Sequence, residues 1–460
     1  MLQSDRSLSP ADLLPAIEHM WQTSARCLDE LERNWRPQDG SPVFTVAGKY
    51  TSQGWTEWTQ GFQFGSDILQ FDATGDERFL KRGRKHTLEL MAPHVSHIGV
   101  HDHGFNNVST YGALRRLILE GRYSAEESEL QLHELALKVS GAVQASRWSR
   151  TASGSGYIYS FNGPHSLFAD TIRSLRSLAL AHLLGHRLMA ENDKPVSLLE
   201  RLLQHAKTTA EFIVYYGEGR DTWDTPGRVV HESIFNTNDG NFRCPSAQQG
   251  YSPFTTWTRG AAWIITGYAE QLEFLAALPD DELTPFGGRE EVEGWMRRAA
   301  MVTAQAFIND CPTDGVPYWD TGAPGLVQLG DWRNVPSDPW NDFEPIDSSA
   351  AAIASQGLIR LGRLLSAEEG ADNFLQAGLT MFRSLLTDRY LNQDPKHQGL
   401  LLHSVYHRPR NWDYIPPGRK IPCGEACMWG DYHLRETALL VQRIAKGQPD
   451  YTFFGPIGKS

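Results

Sequence analysis

Residues 249–277 read QGYSPFTTWTRGAAWIITGYAEQLEFLAA, a polar and aromatic loop that leads directly into an apolar helix. Arg259 and Trp263 are four residues apart, so they share one face of that helix near its start. The same arrangement, a long loop followed by a helix with hydrophobic residues at helical spacing, recurs along the chain. This recurrence is what predicts the fold.

Hydrophobic periodicity predicts twelve helices and almost no strands of alternating polarity. Helix starts are indicated by Ser9-Pro10 and by a capping box at residues 124–127. Helix ends are indicated by Gly75, Gly217 and Pro279. The predicted helices cover residues 10–33, 58–74, 76–93, 108–122, 125–146, 168–187, 195–214, 257–277, 289–309, 347–366, 370–388 and 424–446.

The links between these helices alternate between short turns and long loops rich in Gly, Pro, Trp and His. Long loops in a compact domain commonly carry function, and their place at about every second connection predicts that they gather at one end. We therefore expect an all-α fold, an (α/α)6 barrel of twelve helices in six pairs, forming a single domain over residues 1–460. An open α-solenoid is the alternative, although no fixed repeat period supports it.

Composition and charge exclude several classes of function. The 460 residues are 40% hydrophobic and 21% charged, as in an ordinary folded protein. The 43 Lys and Arg against 55 Asp and Glu give a formal net charge of −12, which disfavours a nucleic-acid partner. The 14 tryptophans indicate either an aromatic core or a cleft in which sugars stack.

Targeting and redox signals predict a cytoplasmic protein with no membrane partner. The N-terminal segment lacks a basic region followed by an apolar stretch, and no apolar run is long enough to span a membrane. The five cysteines are odd in number and scattered, which favours a reducing compartment. Cys423 and Cys427 have only His433 nearby as a further ligand, so we expect buried thiols and no metal.

Four segments at junctions between a loop and a helix concentrate polar, aromatic and acidic residues. Each has a structural alternative: Trp55 could staple the core, Asp102 could cap a helix, and Asp170 could be a charge at a helix N-terminus. Arg259 could pack against an indole as a buried cation–π pair, although beside two Trp it could also clamp a carboxylate. The segments are WTEWTQGF at 55–62, HDHGF at 101–105, FADTIR at 168–173 and QGYSPFTTWTRGAAW at 249–263.

Taken together, these segments resemble the unsaturated glucuronyl hydrolases, glycoside hydrolase family 88. The matching motifs stand in the same order as in the family and span nearly the whole chain. They are WTQGF at 58–62, HDHGF at 101–105, FAD at 168–170, QGYS and WTRGAAW within 249–263, IDSSAA at 346–351 and WGDYH at 429–433. The resemblance implies an (α/α)6 barrel, in agreement with the helix pattern.

The resemblance also implies an activity. These enzymes remove a 4-deoxy-hex-4-enuronate from the end of oligosaccharides that polysaccharide lyases leave, by hydrating its C4=C5 double bond without a metal or organic cofactor. Matched by position, Asp170 is implied as the general acid and base, and Asp102 as its assisting carboxylate. The implied sugar-binding residues are Trp58, His231, Gln249, Trp257, Arg259 and Trp263, and the local cations expected to hold the anionic sugar also include His101 and Arg173.

That chemistry requires a carboxyl group that is still protonated near neutral pH. A free Asp has a pKa of about 3.9, so we expect the pKa of Asp170 to be raised by the nearby Asp102 and by burial among indoles. Arg173 departs from the family pattern. An ion pair between Arg173 and Asp170 would lower that pKa, so we expect Arg173 to point at the substrate carboxylate or at another acid, unless Asp170 works with a different pKa.

Other functions remain open at this stage. An unsaturated rhamnogalacturonyl hydrolase and an inverting glycosidase could share the barrel and the paired carboxylates. A non-enzymatic helical scaffold would use the loops only to recognise a partner. A sugar epimerase is disfavoured because its histidine-centred site has no obvious match.

Overall fold

A computed structural model describes residues 1–54 and 58–457, and this part of the chain contains twelve principal helices besides shorter helical turns. Helix α4 includes a π-helical turn at Val108–Gly112, and α6 is interrupted at Leu175. The helices are α1 Leu14–Asn34, α2 Gln60–Thr74, α3 Glu77–Leu90, α4 His103–Asn107 with Ala113–Leu119, α5 Glu127–Ser146, α6 Thr171–Ser174 with Arg176–Leu183, α7 Leu198–Phe212, α8 Thr258–Ala276, α9 Arg289–Asp310, α10 Ser348–Leu364, α11 Ala371–Leu385 and α12 Met428–Ala445.

Each predicted helix is present, and most boundaries lie within a few residues of the prediction. The exception is α4, which begins five residues early. Two of the sequence signals for helix boundaries are wrong. The capping box at residues 124–127 does not form, because α5 starts at Glu127 and its N-cap Glu126 makes no side-chain cap. Gly217 lies beyond the end of α7, whose C-cap is Ile213. Gly75 ends α2 as predicted, in the left-handed conformation at φ 76° that glycine adopts without strain.

The helices alternate between two kinds of surface, and this alternation defines the architecture. The even-numbered helices α2, α4, α6, α8, α10 and α12 are buried almost all round, whereas the odd-numbered helices bury one side only. Neighbouring even-numbered helices contact each other in turn, and α12 returns to contact α2, so the inner ring closes. The predicted (α/α)6 barrel is therefore confirmed, and the open solenoid is excluded.

Short strands, which the periodicity did not predict, shape the loops that connect the helices. Strands of three to five residues are too short to leave a clear alternating pattern in sequence. One antiparallel sheet pairs β5 with β8 and β8 with β9. The strands are β1 Pro42–Val46, β2 Lys49–Ser52, β3 Trp148–Arg150, β4 Gly156–Ile158, β5 Ser166–Phe168, β6 Leu188–Ala190, β7 Lys194–Val196, β8 Glu232–Phe235 and β9 Phe242–Ser246.

The two ends of the barrel differ. The inner helices begin at the end where the long loops lie, which we call the open end. At the other end, the closed end, the segment after α12 packs the buried side chains of Tyr451, Phe453 and Phe454 across the barrel. No helix in the described part of the chain is both long and apolar enough to cross a membrane.

Candidate active site

A cavity of about 320 Å³ opens among the loops at the open end of the barrel. Eight of the nine predicted site residues line it: Trp58, His101, Asp102, Asp170, Gln249, Trp257, Arg259 and Trp263. Its other lining residues are Val100, Phe105, Phe161, Phe168, Gln248, Tyr406, His407, Arg410 and Trp412. The fold thus brings together residues that are distant in sequence, as the barrel prediction required.

The starts of the inner helices place the acidic and aromatic groups. Asp102 is the N-cap of α4, Asp170 is the N-cap of α6, and Trp257 is the N-cap of α8. A helix N-terminus carries a partial positive charge and unpaired backbone N–H groups, which favour anions nearby. The cavity therefore lies in a locally favourable environment for an anion, even though the whole chain carries a net charge of −12.

His101 lies between the two carboxylates. Its Nε2 is 3.1 Å from Oδ1 of Asp170 and 3.8 Å from Oδ1 of Asp102. The backbone carbonyl of His101 accepts hydrogen bonds from Gln144 Nε2 at 2.7 Å and Ser174 Oγ at 2.6 Å, which fix this part of the loop. Only the Asp170 contact is short enough to be a hydrogen bond.

Burial and this hydrogen bond set the charge states of the two acids. Burial raises the pKa of Asp102, and the nearby charge of Asp170 adds to that rise. Burial acts in the same direction on Asp170, but the hydrogen bond and charge of His101 outweigh it and lower its pKa. The expectation of a raised pKa at Asp170 is therefore wrong, and the raised pKa belongs to Asp102.

His231 lies behind the cavity wall and is the one predicted site residue that does not line it. The pairing of β5 with β8 sets its position, and its carbonyl accepts the backbone N–H of Ala169 at 3.0 Å. Its ring packs on Phe168 and Trp257, with centroids 4.5 Å and 4.7 Å away. Its Nδ1 accepts the backbone N–H of Gln248 at 2.9 Å, and burial lowers its pKa to about 4. His231 is thus a neutral support for the wall.

Arg259 is committed to the protein and is not the open carboxylate clamp that its position suggested. Its Nη1 donates to Asp347 Oδ2 at 2.9 Å and to the carbonyl of Val405. Its Nη2 donates to Gln249 Oε1 and to the carbonyl of Tyr406, both at 2.8 Å. The guanidinium also lies 4.7 Å from the ring centroid of Trp257 and 4.9 Å from that of Trp429. The cation–π alternative describes this residue better.

The side chain of Arg173 extends into the barrel and pairs with acids other than Asp170. Of the two expected targets, another acid is therefore correct and the substrate carboxylate is not. Its guanidinium contacts Glu270 at 3.0 Å and Glu436 at 2.6 Å. It lies 5.8 Å from the ring centroid of Trp263, on the floor of the cavity. Arg173 is fully buried, so it supports this floor and has no access to a ligand.

Aromatic rings form most of the cavity wall. Trp58 stacks on Trp429 with centroids 4.9 Å apart, and Trp263 packs on Phe105 at 5.0 Å. The sequence also pointed to Trp55, but it lies outside the described residues. Sequence reasoning missed the cluster Tyr406, His407, Arg410 and Trp412, although these residues lie in one of the long loops, 391–423, that it described as rich in Gly, Pro, Trp and His.

Comparisons with known proteins agree with this architecture. An unsaturated glucuronyl hydrolase from Bacillus sp. (strain GL1) is 25% identical over 405 residues, covering 87% of this chain and 90% of that protein. An unsaturated chondroitin disaccharide hydrolase from Streptococcus pyogenes serotype M1 is 24% identical over 416 residues, covering 89% and 87%. A comparison with protein-family models finds no match.

Solved structures give the same result for the fold. The crystal structure of the Bacillus sp. GL1 unsaturated glucuronyl hydrolase superposes with a TM-score of 0.68 at 23% identity, covering 95% of this chain and all of that one. An unsaturated glucuronyl hydrolase specific for heparin superposes with a TM-score of 0.71 at 18% identity, covering 96% of this chain and all of that one. The barrel is therefore shared with these enzymes.

The closed ring of paired helices holds two carboxylates in an aromatic-walled cavity, and the relatives that match it over most of its length are named as hydrolases, so the chain is a glycoside hydrolase with an (α/α)6 barrel. Within that class, the chain is a homologue of the unsaturated glucuronyl hydrolases over most of its length. The resemblance drawn from the sequence motifs is thereby confirmed.

Proposed function

We propose that this protein is an unsaturated uronyl hydrolase that removes a 4-deoxy-hex-4-enuronate from the non-reducing end of oligosaccharides produced by polysaccharide lyases. The observation that carries the proposal is the pair Asp102 and Asp170, which flank one imidazole in a cavity walled by indoles. Two acids in different environments within one pocket provide an acid and a base for the same reaction.

The reaction is a hydration of the C4=C5 vinyl ether. Asp170 in its protonated form donates a proton to C4, and positive charge develops at C5 and the ring oxygen. A water molecule adds at C5 and gives its proton back to the Asp170 carboxylate. The resulting hemiketal opens, which releases the remaining saccharide and a 4-deoxy-5-keto uronate. Asp170 ends protonated, ready for another cycle.

The substrate itself helps to load Asp170. An unsaturated uronate carries a carboxylate, and its entry brings a second negative charge close to Asp170 and displaces water from the cavity. Both effects raise the pKa of Asp170, which the hydrogen bond from His101 otherwise lowers. Asp102, whose pKa is already raised, assists as a nearby group that can hold a proton.

The aromatic wall and the buried arginine provide binding and orientation. Trp58, Trp257 and Trp263 offer apolar faces on which a sugar ring can stack. Arg259 fixes the oxygen of the Gln249 side chain, which leaves the amide nitrogen of Gln249 as a donor to a sugar oxygen. Arg259 therefore acts on substrate binding through Gln249 and Trp257.

The compartment and partner are also proposals. All five cysteines are unbridged, which supports a reducing compartment such as the cytoplasm. The partner we propose is an unsaturated uronate-containing oligosaccharide. Chondroitin disaccharides and heparin are substrates named for two of the relatives, and we do not assign either of them to this chain.

The test is a panel of unsaturated disaccharides made by different lyases, assayed by the ultraviolet absorbance of the C4=C5 double bond. We expect the absorbance to fall as free saccharide appears in equal amount. Release of saccharide with unchanged absorbance would instead indicate an inverting glycosidase that cleaves the intact glycosidic bond. No turnover of any member of the panel would favour a binding or scaffold protein.

A further inference from the structure

The two acids of the site differ in what donates to them. Asp170 accepts a hydrogen bond from His101 Nε2 at 3.1 Å, whereas Asp102 Oδ1 is 3.8 Å from the same nitrogen, beyond hydrogen-bond range. No described residue donates a hydrogen bond to the side chain of Asp102, although this carboxyl is buried. The ionised form of a buried carboxyl is less stable without a hydrogen-bond donor than with one. Of the two acids, Asp102 is therefore the one that more readily holds a proton.

The tautomer of His101 follows from its other nitrogen. Nδ1 of His101 is buried and has no hydrogen-bond partner among the described residues. A neutral imidazole with its proton on Nδ1 would bury an unpaired donor, which is unfavourable. Nε2 therefore carries a proton whether the ring is neutral or charged, and His101 is always the donor to Asp170.

The groups that surround His101 come from several elements. Its ring is packed by Phe161, with parallel planes at 6.2 Å, and by Phe168 edge-on at 5.5 Å. The titratable and charged groups that act on His101 or on its acid partner are Asp102, Asp170, Arg147, His205, His231 and Arg259. Burial lowers the pKa of His205 to about 3 and that of His231 to about 4, so neither histidine competes with His101 as a cation.

We propose that His101 is a positioning residue: by donating a hydrogen bond from Nε2 to Asp170 and leaving Asp102 without a donor, it places the proton that the reaction uses on Asp102 before a substrate binds. The inference rests on the proposed hydration. When the anionic sugar enters, the O–H bond of Asp102 breaks, the O–H bond of Asp170 forms, and the negative charge moves from Asp170 to Asp102. No other reactant is needed.

The first experiment reads the proton directly and does not depend on turnover. Infrared difference spectra of the unliganded protein, recorded through an acid-to-neutral titration, follow the C=O stretch of protonated carboxyl groups. We expect a signal from a carboxyl that keeps its proton above the ordinary pKa of Asp, lost in Asp102→Asn and retained in Asp170→Asn. The signal of Glu273, whose pKa burial raises to about 7, should be unchanged in both variants. Loss of that signal in Asp170→Asn with retention in Asp102→Asn would overturn the proposal.

The second experiment compares two replacements of His101 in the pH profile of kcat/KM. His101→Leu removes the donor, so Asp170 holds its proton more readily and the alkaline limb should move up by about one to two pH units. His101→Gln restores an N–H donor near the position of Nε2 and should return the limb toward that of the wild type. A His101→Leu profile that coincides with the wild type would contradict the proposal.

His103 provides the matched control, since it flanks Asp102 on the other side and is equally buried. Its ring contacts Ser140 Oγ and the carbonyl of His97, and neither catalytic carboxyl. His103→Gln should leave the pH profile in place, and a shift equal to that of His101→Leu would argue for a general packing effect. If the wild-type protein turns over no unsaturated uronide, the proposed function fails while the infrared result still decides where the proton lies.

Discussion

At the closed end of the barrel Asp72 accepts hydrogen bonds from three arginines, whereas at the open end Asp170 accepts one from His101 and Asp102 accepts none from the described residues. The partners of Asp72 are Arg116 at 2.6 Å, Arg122 at 2.8 Å and Arg443 at 3.0 Å. Burial would raise the pKa of Asp72, but these arginines lower it.

The comparison separates two uses of a buried carboxylate. An acid held by several guanidinium groups stays ionised through the neutral range and contributes to stability. An acid with few donors can hold a proton and donate it, at some expense to stability. The acids at the open end therefore have the electrostatics of an active site, whereas Asp72 at the closed end has those of a stabilising ion-pair network.

The strongest test of this contrast is Asp170→Asn. An amide cannot donate a proton to C4, so we expect kcat on an unsaturated disaccharide to fall by about 10³-fold. The loss of ultraviolet absorbance measures the rate, and circular dichroism checks that the fold is kept. Turnover near the wild-type level would mean that Asp170 is not the general acid.

At the closed end, Asp72→Asn should have the opposite consequence. It leaves Arg116 and Arg443 buried with Glu120 as their remaining acidic partner, so we expect the free energy of unfolding to fall by about 3 kcal/mol. Urea unfolding measures this loss, and kcat/KM per folded molecule should remain close to that of the wild type. A large loss of activity with unchanged stability would break the comparison.

The pH dependence of this effect has a defined sign. The pKa of Asp72 is lowered in the folded state, so its stabilising contribution is present above its unfolded pKa of about 3.9. The contribution is lost as the pH falls through the folded pKa, so the difference between wild type and Asp72→Asn should shrink in acid. Asp5 pairs with Arg383 at the surface, and Asp5→Asn should unfold like the wild type.

The barrel could be predicted because its cause is repeated many times along the sequence. Each inner helix buries nearly its whole surface, and each outer helix buries one side. The sequence therefore shows twelve segments with hydrophobic residues at helical spacing. The start of α5 could not be predicted, since Ser124 carries a capping signal that the folded chain does not use. The short strands could not be predicted either, because most belong to local hairpins with strands of three to five residues that leave no clear alternating pattern. The pairing of β5 with β8 joins two loops that are distant in sequence.

The site was predicted as a set of residues, but the partners of each charged group were not. Helix spacing placed Arg173 near Asp170, yet its guanidinium turns to Glu270 and Glu436, which come from α8 and α12. Arg259 likewise pairs with Asp347, which lies 88 positions along the chain. The packing of helices that are distant in sequence decides which acid pairs with each cation. Hydrophobic periodicity therefore cannot predict these partners.

The free energy of unfolding of Asp102→Asn tests whether Asp102 differs from Asp72. The pKa of Asp102 is raised on folding, so its charged form destabilises the native state as the pH rises above its ordinary value. Removing the charge should therefore raise the free energy of unfolding at neutral pH by about 1 kcal/mol while lowering activity. Urea unfolding at neutral and acidic pH measures the change. Destabilisation at neutral pH would show that Asp102 has donors like those of Asp72.

The smallest expected effect concerns salt. The chain has a net charge of −12, and Arg259, in the wall of the cavity, is already neutralised by Asp347, so long-range attraction of an anionic sugar is weak. The groups that favour the anion are helix N-termini and hydrogen-bond donors, which act within a few ångströms and are little screened at physiological ionic strength. We therefore expect kcat/KM to change by less than about threefold between low and physiological salt. A steep fall would mean that exposed cations at the rim, such as Arg410, draw the substrate in, and the contrast between the two ends would then extend to the outer surface.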